Sequence, residues 1–119
     1  MSAAPTPAPG AAPAAARTAP PQLSTTAAGQ LAAHGALTFA TARRALALGG
    51  QLRDDADTKS VEIDCSAVTA SDSAGLAVLL EWLGTARRTG RTLRYTHLPQ
   101  GLTALARISE VEELLTRGV

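Results

Sequence analysis

Apolar and polar residues alternate most regularly near the middle of the chain. In the stretch Ser60–Cys65 every second residue is apolar, namely Val61, Ile63 and Cys65, which is the pattern of a strand with one buried face. The shorter stretch Thr92–Thr96 alternates in the same way. Both stretches are therefore predicted to be strands.

The strongest helical pattern follows the first of these strands. From Ser73 to Thr89 apolar residues recur at intervals of three and four, and Gly90 provides a stop. The apolar positions form two stripes, the first of Leu76, Leu79, Leu80 and Leu83 and the second of Val78 and Trp82. A helix that is apolar around so much of its circumference must bury a second side. Val78 and Trp82 are therefore candidate contacts with a partner protein.

Weaker patterns complete the set of elements. Two short strands are expected between Leu23 and Gly35, joined by a turn at Ala28–Gln30. Thr38 can cap a helix whose apolar face includes Phe39, and a final helix follows the last strand. Strands and helices alternating in this order indicate a single α/β domain, with a short mixed sheet and helices packed mainly on one side.

The first 22 residues differ in composition from the rest. Six of the seven prolines lie within the first 21 residues, alanine dominates there, and Arg17 is the only charged residue before Arg43. Such a segment lacks the apolar side chains needed to offset the entropy of ordering. Residues 1–22 are therefore predicted to be a disordered arm and residues 23–119 the folded domain. Deletion of the arm is expected to leave folding and partner binding intact.

The same arm bears on the location of the protein. A secretory signal needs an apolar core without proline interruptions, whereas prolines recur every few residues here and no leucine precedes Leu23. The chain also has no run of about 18 apolar residues that could span a membrane. We expect a cytoplasmic protein that meets the inner face of a membrane only through a partner complex.

The nearly balanced charges exclude further functional classes. Eleven Lys and Arg residues and ten Asp and Glu residues give a net charge of +1, so no nucleic-acid-binding surface is expected. Cys65 is the only cysteine, and His34 and His97 give no support to a metal centre. No glycine-rich phosphate loop follows a strand. Asp64 and Asp72 are the only nearby carboxylate pair, so neither a cofactor nor enzymatic activity is expected.

The most informative segment joins the first strand to the strongest helix. There Asp72 and Ser73 stand at the helix N-terminus, where free backbone N–H groups and the helix dipole favour negative charge. A phosphate on Ser73 would be stabilised at this position. The alternative is ordinary capping, because Ser and Asp are both preferred N-cap residues.

This segment resembles the STAS domain, a family named from sulfate transporters and anti-sigma factor antagonists. The resemblance rests on the motif Asp72-Ser73-x-Gly75-Leu76 preceded by Ile63-Asp64-x-Ser66-x-Val68, and it covers about residues 24–116. It implies a single STAS-type α/β domain that works by binding another protein.

Two branches of the family imply different partners. In the MlaB-like branch, the domain binds the cytoplasmic ATPase subunit of a phospholipid-transport (Mla) ABC transporter, which maintains the lipid asymmetry of the outer membrane. A hydroxyl residue at the position of Ser73 then belongs to the contact surface. In the anti-sigma factor antagonist branch, a partner kinase phosphorylates the serine that corresponds to Ser73. The stretch Gly75–Leu80 is closer to the MlaB-like branch, and antagonists more often carry a second serine at the position of Ala74.

The expected functional surface follows from this resemblance. Its candidate residues, for partner binding or phosphate acceptance, are Ser71, Asp72, Ser73, Ala74, Gly75, Val78 and Trp82. Ser73 is the phosphorylation candidate, and no residue is assigned to catalysis or to a metal. The expected partner is an ABC transporter ATPase subunit, with an anti-sigma factor kinase as the alternative.

Overall fold

The computed structural model describes residues 14–54 and 58–117, which build a four-stranded mixed sheet. Its strands lie side by side in chain order, with β1 antiparallel to β2 and with β2, β3 and β4 parallel to one another. The strands are β1 (Gln22–Ala27), β2 (Gln30–Leu37), β3 (Ser60–Ser71) and β4 (Thr92–Thr96). The mixed α/β architecture expected from the sequence is confirmed.

Six α-helices occur in the described part of the chain. They are α1 (Ala14–Arg17), α2 (Ala42–Ala47), α3 (Gln51–Asp54), α4 (Ser73–Arg88), α5 (Gln100–Ile108) and α6 (Glu112–Arg117). A single 3-10 turn, Leu48–Gly50, joins α2 to α3. Helix α4 begins at the expected residue and stops one residue before the expected Thr89. Among these described helices, none is both long and apolar enough to cross a membrane.

One face of the sheet is buried and carries the core. Ile63 and Cys65 on β3 have no exposed surface, whereas the neighbouring Glu62 and Asp64 point to the other face and are partly exposed. Tyr95 on β4 packs beneath α4 and its hydroxyl donates a hydrogen bond of 2.6 Å to the carbonyl oxygen of Leu79. The alternation in the sequence therefore reports which face of the sheet the helices cover.

The second apolar stripe of α4 is covered by α2 within the same chain. Val78 and Trp82 are each 1% exposed, and the indole nitrogen of Trp82 donates a 3.0 Å hydrogen bond to the carbonyl oxygen of Ala45. Gly49 lets the 3-10 turn after α2 lie close to α4, because a Cβ atom there would be 3.2 Å from Trp82 Cδ1. The expectation that Trp82 contacts a partner is corrected, since its side chain has an intramolecular partner and almost no exposed surface.

The segment before α2 differs from the expected helix. Helix α2 begins at Ala42 rather than just after Thr38, because the Thr41 hydroxyl accepts from the Thr38 amide at 3.1 Å and donates to the Ala36 carbonyl oxygen at 2.7 Å. This turn leaves the Phe39 side chain 86% exposed. Phe39 therefore belongs to the surface and not to the apolar face of a helix.

Strands β2 and β3 both run further than the alternation indicates. Gly35 was expected to end β2, but the strand continues to Leu37, which pairs with Ser71 at the end of β3. Gly35 has a φ of +82° and lies against the Pro20 carbonyl group. Pairing between the two strand ends thus brings Leu37, the last residue of β2, next to the α4 N-terminus.

Part of the arm predicted to be disordered is folded onto the sheet. Residues 14–22 have defined contacts, which include a 3.0 Å hydrogen bond from the Ala36 amide to the Ala19 carbonyl oxygen and a buried Pro21. The physical reason is that backbone carbonyl groups, rather than apolar side chains, hold the segment in place. Residues 1–13 lie outside the described residues, and for them the expectation stays a prediction.

Candidate functional site

Five of the predicted site residues lie where β3 ends and α4 begins. Ser71–Gly75 turn the chain from strand to helix within five residues, and Asp72 is extended, with a φ of −149°. The Asp72 amide donates a 3.3 Å hydrogen bond to the carbonyl oxygen of Leu37. The end of β2 therefore fixes the position of this junction, Ser71–Gly75, which we call the site loop.

Asp72 is the residue that caps α4. Its Oδ1 atom accepts hydrogen bonds from the backbone amides of Ala74, at 2.9 Å, and Gly75, at 3.2 Å. Capping by Asp72 leaves Ser73 in the first turn with an exposed side chain. Among the residues that the structure describes, none hydrogen-bonds the Ser73 hydroxyl. The capping alternative thus applies to Asp72, whereas the Ser73 hydroxyl has no structural task that the structure reveals.

The second carboxylate oxygen of Asp72 links two other parts of the chain. Asp72 Oδ2 accepts a 3.0 Å hydrogen bond from the Phe39 amide and lies 3.5 Å from a guanidinium nitrogen of Arg17. One partly buried carboxylate therefore connects the α4 N-terminus with the turn before α2 and with the N-terminal segment.

Gly75 is required by close packing of the loop against β2. A Cβ atom at Gly75 would be 2.1 Å from the carbonyl oxygen of Leu37, a distance at which the backbone would have to move. Its role is thus to let α4 approach the sheet, as residue type alone suggested.

An apolar groove begins at the site loop and runs between α2 and α4. It has a volume of about 750 Å³. Its lining is formed mostly by small and apolar residues: Phe39, Ala42, Leu46, Ala47, Gly49, Gly50, Ala74, Ala77, Val78, Glu81 and Thr85. Phe39 and Leu46 are 86% and 44% exposed, so the groove presents large apolar side chains to solvent. Ala74 belongs to both the site loop and the groove, which makes the two surfaces continuous.

Comparison with known proteins identifies the family. A family model described as "Mlab, STAS domain" matches residues 22–116. The chain belongs to this STAS family. STAS domains interact with other proteins and are generally non-catalytic. No curated protein matches the sequence.

The fold agrees with that assignment. The STAS domain is similar to a solved structure of the anti-sigma factor antagonist SpoIIAA in its unphosphorylated form, with a TM-score of 0.55. The match covers 74% of this chain and 82% of that chain at 10% sequence identity. At so low an identity the similarity concerns the fold alone.

The STAS domain does not bring its two candidate carboxylates together. Asp64 lies on the open face of the sheet, 3.3 Å from His97 Nδ1, and the Ser66 amide, which donates to Asp64 at 2.8 Å, is the main reason that the pKa of the Asp64 carboxyl is lowered. Asp72 is eight residues further along β3 and α4 and shares none of these partners. In the part of the chain that the structure describes, no group of three or more His, Cys, Asp or Glu side chains could hold a metal ion.

Two residues of the site were missed by reasoning from the sequence. Arg17 fell within the segment set aside as disordered, and Phe39 was assigned to a buried helix face. The available signals were that Arg17 is the only charge before Arg43 and that Phe39 is the only phenylalanine. Of the predicted residues, Ser73 is exposed, Ser71, Asp72 and Ala74 are partly buried, and Gly75 is buried. Val78 lines the groove but is only 1% exposed, and Trp82 is equally buried.

Proposed function

We propose that this STAS domain is a non-enzymatic subunit that binds and stabilises or regulates the ATPase of a phospholipid-transport ABC transporter of the Mla type. The transporter would maintain lipid asymmetry of the outer membrane. In this proposal the protein is cytoplasmic and reaches the inner membrane only through the ATPase. The supporting observation is an exposed Ser73 hydroxyl beside an apolar groove, in a chain that matches the MlaB family description.

The proposed contact combines polar and apolar parts. The site loop offers the Ser73 hydroxyl, and the groove offers Phe39 and Leu46 as exposed apolar side chains. Large exposed apolar residues beside a concave surface are typical of protein interfaces. A protein that binds one conformation of the ATPase more tightly than another shifts the population by that difference in affinity. The domain can thus regulate ATP hydrolysis without performing chemistry itself.

Affinity purification of the full chain from its native host tests the proposal. We expect an ABC ATPase to be recovered and identified by mass spectrometry, and we expect much less of it when the bait carries Ser73→Trp. Recovery of a kinase-like anti-sigma factor without an ABC ATPase would contradict the proposal.

The alternative is an anti-sigma factor antagonist that is switched by phosphorylation of Ser73. The observation that favours it is the exposed serine hydroxyl at the N-terminus of a 16-residue helix, where added negative charge is favourable. The partner would then be an anti-sigma factor kinase. This alternative predicts a phosphorylated Ser73 peptide in mass spectra of the protein from its host, and a Ser73→Ala protein that binds that partner constitutively.

A further inference from the structure

The segment 14–19, which we call the strap, crosses the ends of β2 and β3 next to the site loop. The Thr69 hydroxyl donates to the Ala16 carbonyl oxygen at 2.7 Å, and the Thr38 hydroxyl donates to the Arg17 carbonyl oxygen at the same distance. Thr69 is on β3 and Thr38 directly follows β2. The strap is thus fixed to both strands at the edge from which the site loop emerges.

Arg17 places a positive charge beside the site loop. The structure of the site loop does not depend on this charge. Asp72 already accepts three backbone hydrogen bonds, from Phe39, Ala74 and Gly75. The Arg17 guanidinium group lies 3.5 Å from Asp72 Oδ2, and the two side chains are 44% and 26% exposed. A pair at this exposure is weak and is screened by salt. Arg17 therefore covers the negative charge of Asp72 reversibly.

The strap is anchored at its C-terminal end. The Pro20 carbonyl group lies where a side chain on Gly35 would be, 2.0 Å from an added Cβ atom, and Pro21 is buried. Two consecutive prolines restrict the backbone at this point. Opening would thus move residues 14–19 and leave Pro20 and Pro21 in place.

We propose that Arg17 acts as a latch which adds to the hydrogen bonds of the strap in keeping it closed beside the site loop, and that a positively charged side chain of the partner takes its place on Asp72. Without the latch the strap opens more often, and the partner reaches the ends of β2 and β3. This inference rests on the proposed function, because it takes the site loop to be the partner surface. It makes the N-terminal segment a competitor of the partner rather than a neutral extension.

Hydrogen exchange of the Ala36 amide tests the latch without a partner, because this amide donates to the strap residue Ala19. In NMR measurements on the full chain, Arg17→Gln should accelerate this exchange about two- to fivefold, as expected for loss of a surface ion pair. Arg87→Gln, which removes the same charge at the far end of α4, should leave it unchanged. Raising NaCl from about 0.02 M to about 0.5 M should accelerate exchange in the wild-type protein but not in Arg17→Gln. Equal exchange in wild type and Arg17→Gln overturns the latch.

Binding to the ABC ATPase subunit purified from the same host tests the competition. Arg17→Gln should bind about two- to fivefold more tightly than wild type, with Arg87→Gln unchanged. Weaker binding by Arg17→Gln would make Arg17 a contact residue and overturn the inference. If no form binds the ATPase, the proposed function fails and competition for this partner fails with it, while the exchange measurement still decides whether the latch exists.

Discussion

Asp72 has the most connected side chain of the candidate site. It caps α4 through one carboxylate oxygen and holds Phe39 and Arg17 through the other. Ser73, the next residue, has an exposed side chain. The structural role of Asp72 and the proposed partner-binding role of Ser73 thus belong to two adjacent residues, which substitutions can separate.

We expect Asp72→Ala to lower the free energy of unfolding by about 1–2 kcal/mol, because the α4 cap and the acceptor for the Phe39 amide are both lost. Ser73→Ala should change it by less than about 0.5 kcal/mol, since an exposed hydroxyl is removed. Urea unfolding of both variants measures the difference. A larger loss for Ser73→Ala than for Asp72→Ala would show that the cap is assigned to the wrong residue.

Two buried groups, a thiol and a phenol hydroxyl, make the free energy of unfolding fall at alkaline pH. Burial raises the pKa of the Cys65 thiol from 9.0 to about 12, and it raises the pKa of the Tyr95 hydroxyl well above 10.0. The unfolded chain therefore releases these protons at lower pH than the folded chain. Their contribution to stability is complete below about pH 9 and is lost as pH rises toward 12.

The expected result is a free energy of unfolding that falls steadily above pH 9, with a shallower decline in Cys65→Val, where one of the two groups no longer titrates. Urea unfolding at a series of pH values between 7 and 11 provides the measurement. A wild-type stability that stays constant across this range would contradict the burial of the two groups.

At the scale of elements, the packing of α4 on β2 depends on a glycine. Gly75→Ala should lower the free energy of unfolding by about 2–3 kcal/mol, because the added methyl group would collide with the backbone carbonyl of Leu37. Gly84 lies in the same helix, where an added Cβ would meet only the end of the Arg88 side chain, at 3.2 Å. Gly84→Ala should therefore be neutral or stabilising by up to about 1 kcal/mol.

Thermal or urea unfolding of these two variants gives a matched comparison. Gly75→Ala should lower the free energy of unfolding, whereas Gly84→Ala, the same substitution in the same helix, should leave it unchanged or raise it. Equal effects at Gly75 and Gly84 would mean that α4 does not approach β2 as closely as the structure indicates.

Elements with strong periodicity could be predicted from the sequence, and those that depend on individual hydrogen bonds could not. The alternation in β3 and the apolar spacing in α4 report burial directly. The extension of β2 to Leu37 depends on pairing with Ser71, and the turn at Phe39 depends on the Thr41 hydroxyl. The first contact joins residues far apart in the chain and the second is local, but neither leaves a periodic signal.

The candidate site also has residues that could be predicted from the sequence and residues that could not. The Ser71–Gly75 surface was predicted because these residues lie between a strand and a helix and resemble the STAS motif. Trp82 was misassigned because its stripe on α4 is covered by α2, a short helix with a weak pattern. Arg17 was missed because the strap is held through its backbone carbonyl groups. Every residue type carries such a group, so the sequence gives no sign of these contacts.

For the whole molecule, the described part of the N-terminal segment contributes to stability through its contacts with the sheet. Deleting residues 2–13 should leave the free energy of unfolding within about 0.5 kcal/mol of the wild type, because a Pro/Ala stretch has little apolar surface to bury. Deleting residues 2–21 should lower it by about 2–4 kcal/mol, since three hydrogen bonds to the strap and the buried Pro21 are lost. Urea unfolding of both truncated chains provides the test, and equal stability of the two would show that the strap contributes nothing.

Calorimetric titration of the full chain into the purified ABC ATPase subunit from its host tests the proposed function most directly. We expect wild-type protein and Ser109→Trp, a control at the exposed end of α5, to bind equally. Ser73→Trp should bind at least about tenfold more weakly, because a bulky side chain at the centre of the contact prevents close approach. Absence of binding by the wild type, or equal binding by Ser73→Trp and Ser109→Trp, would contradict the assignment of the site loop as the ATPase-binding surface.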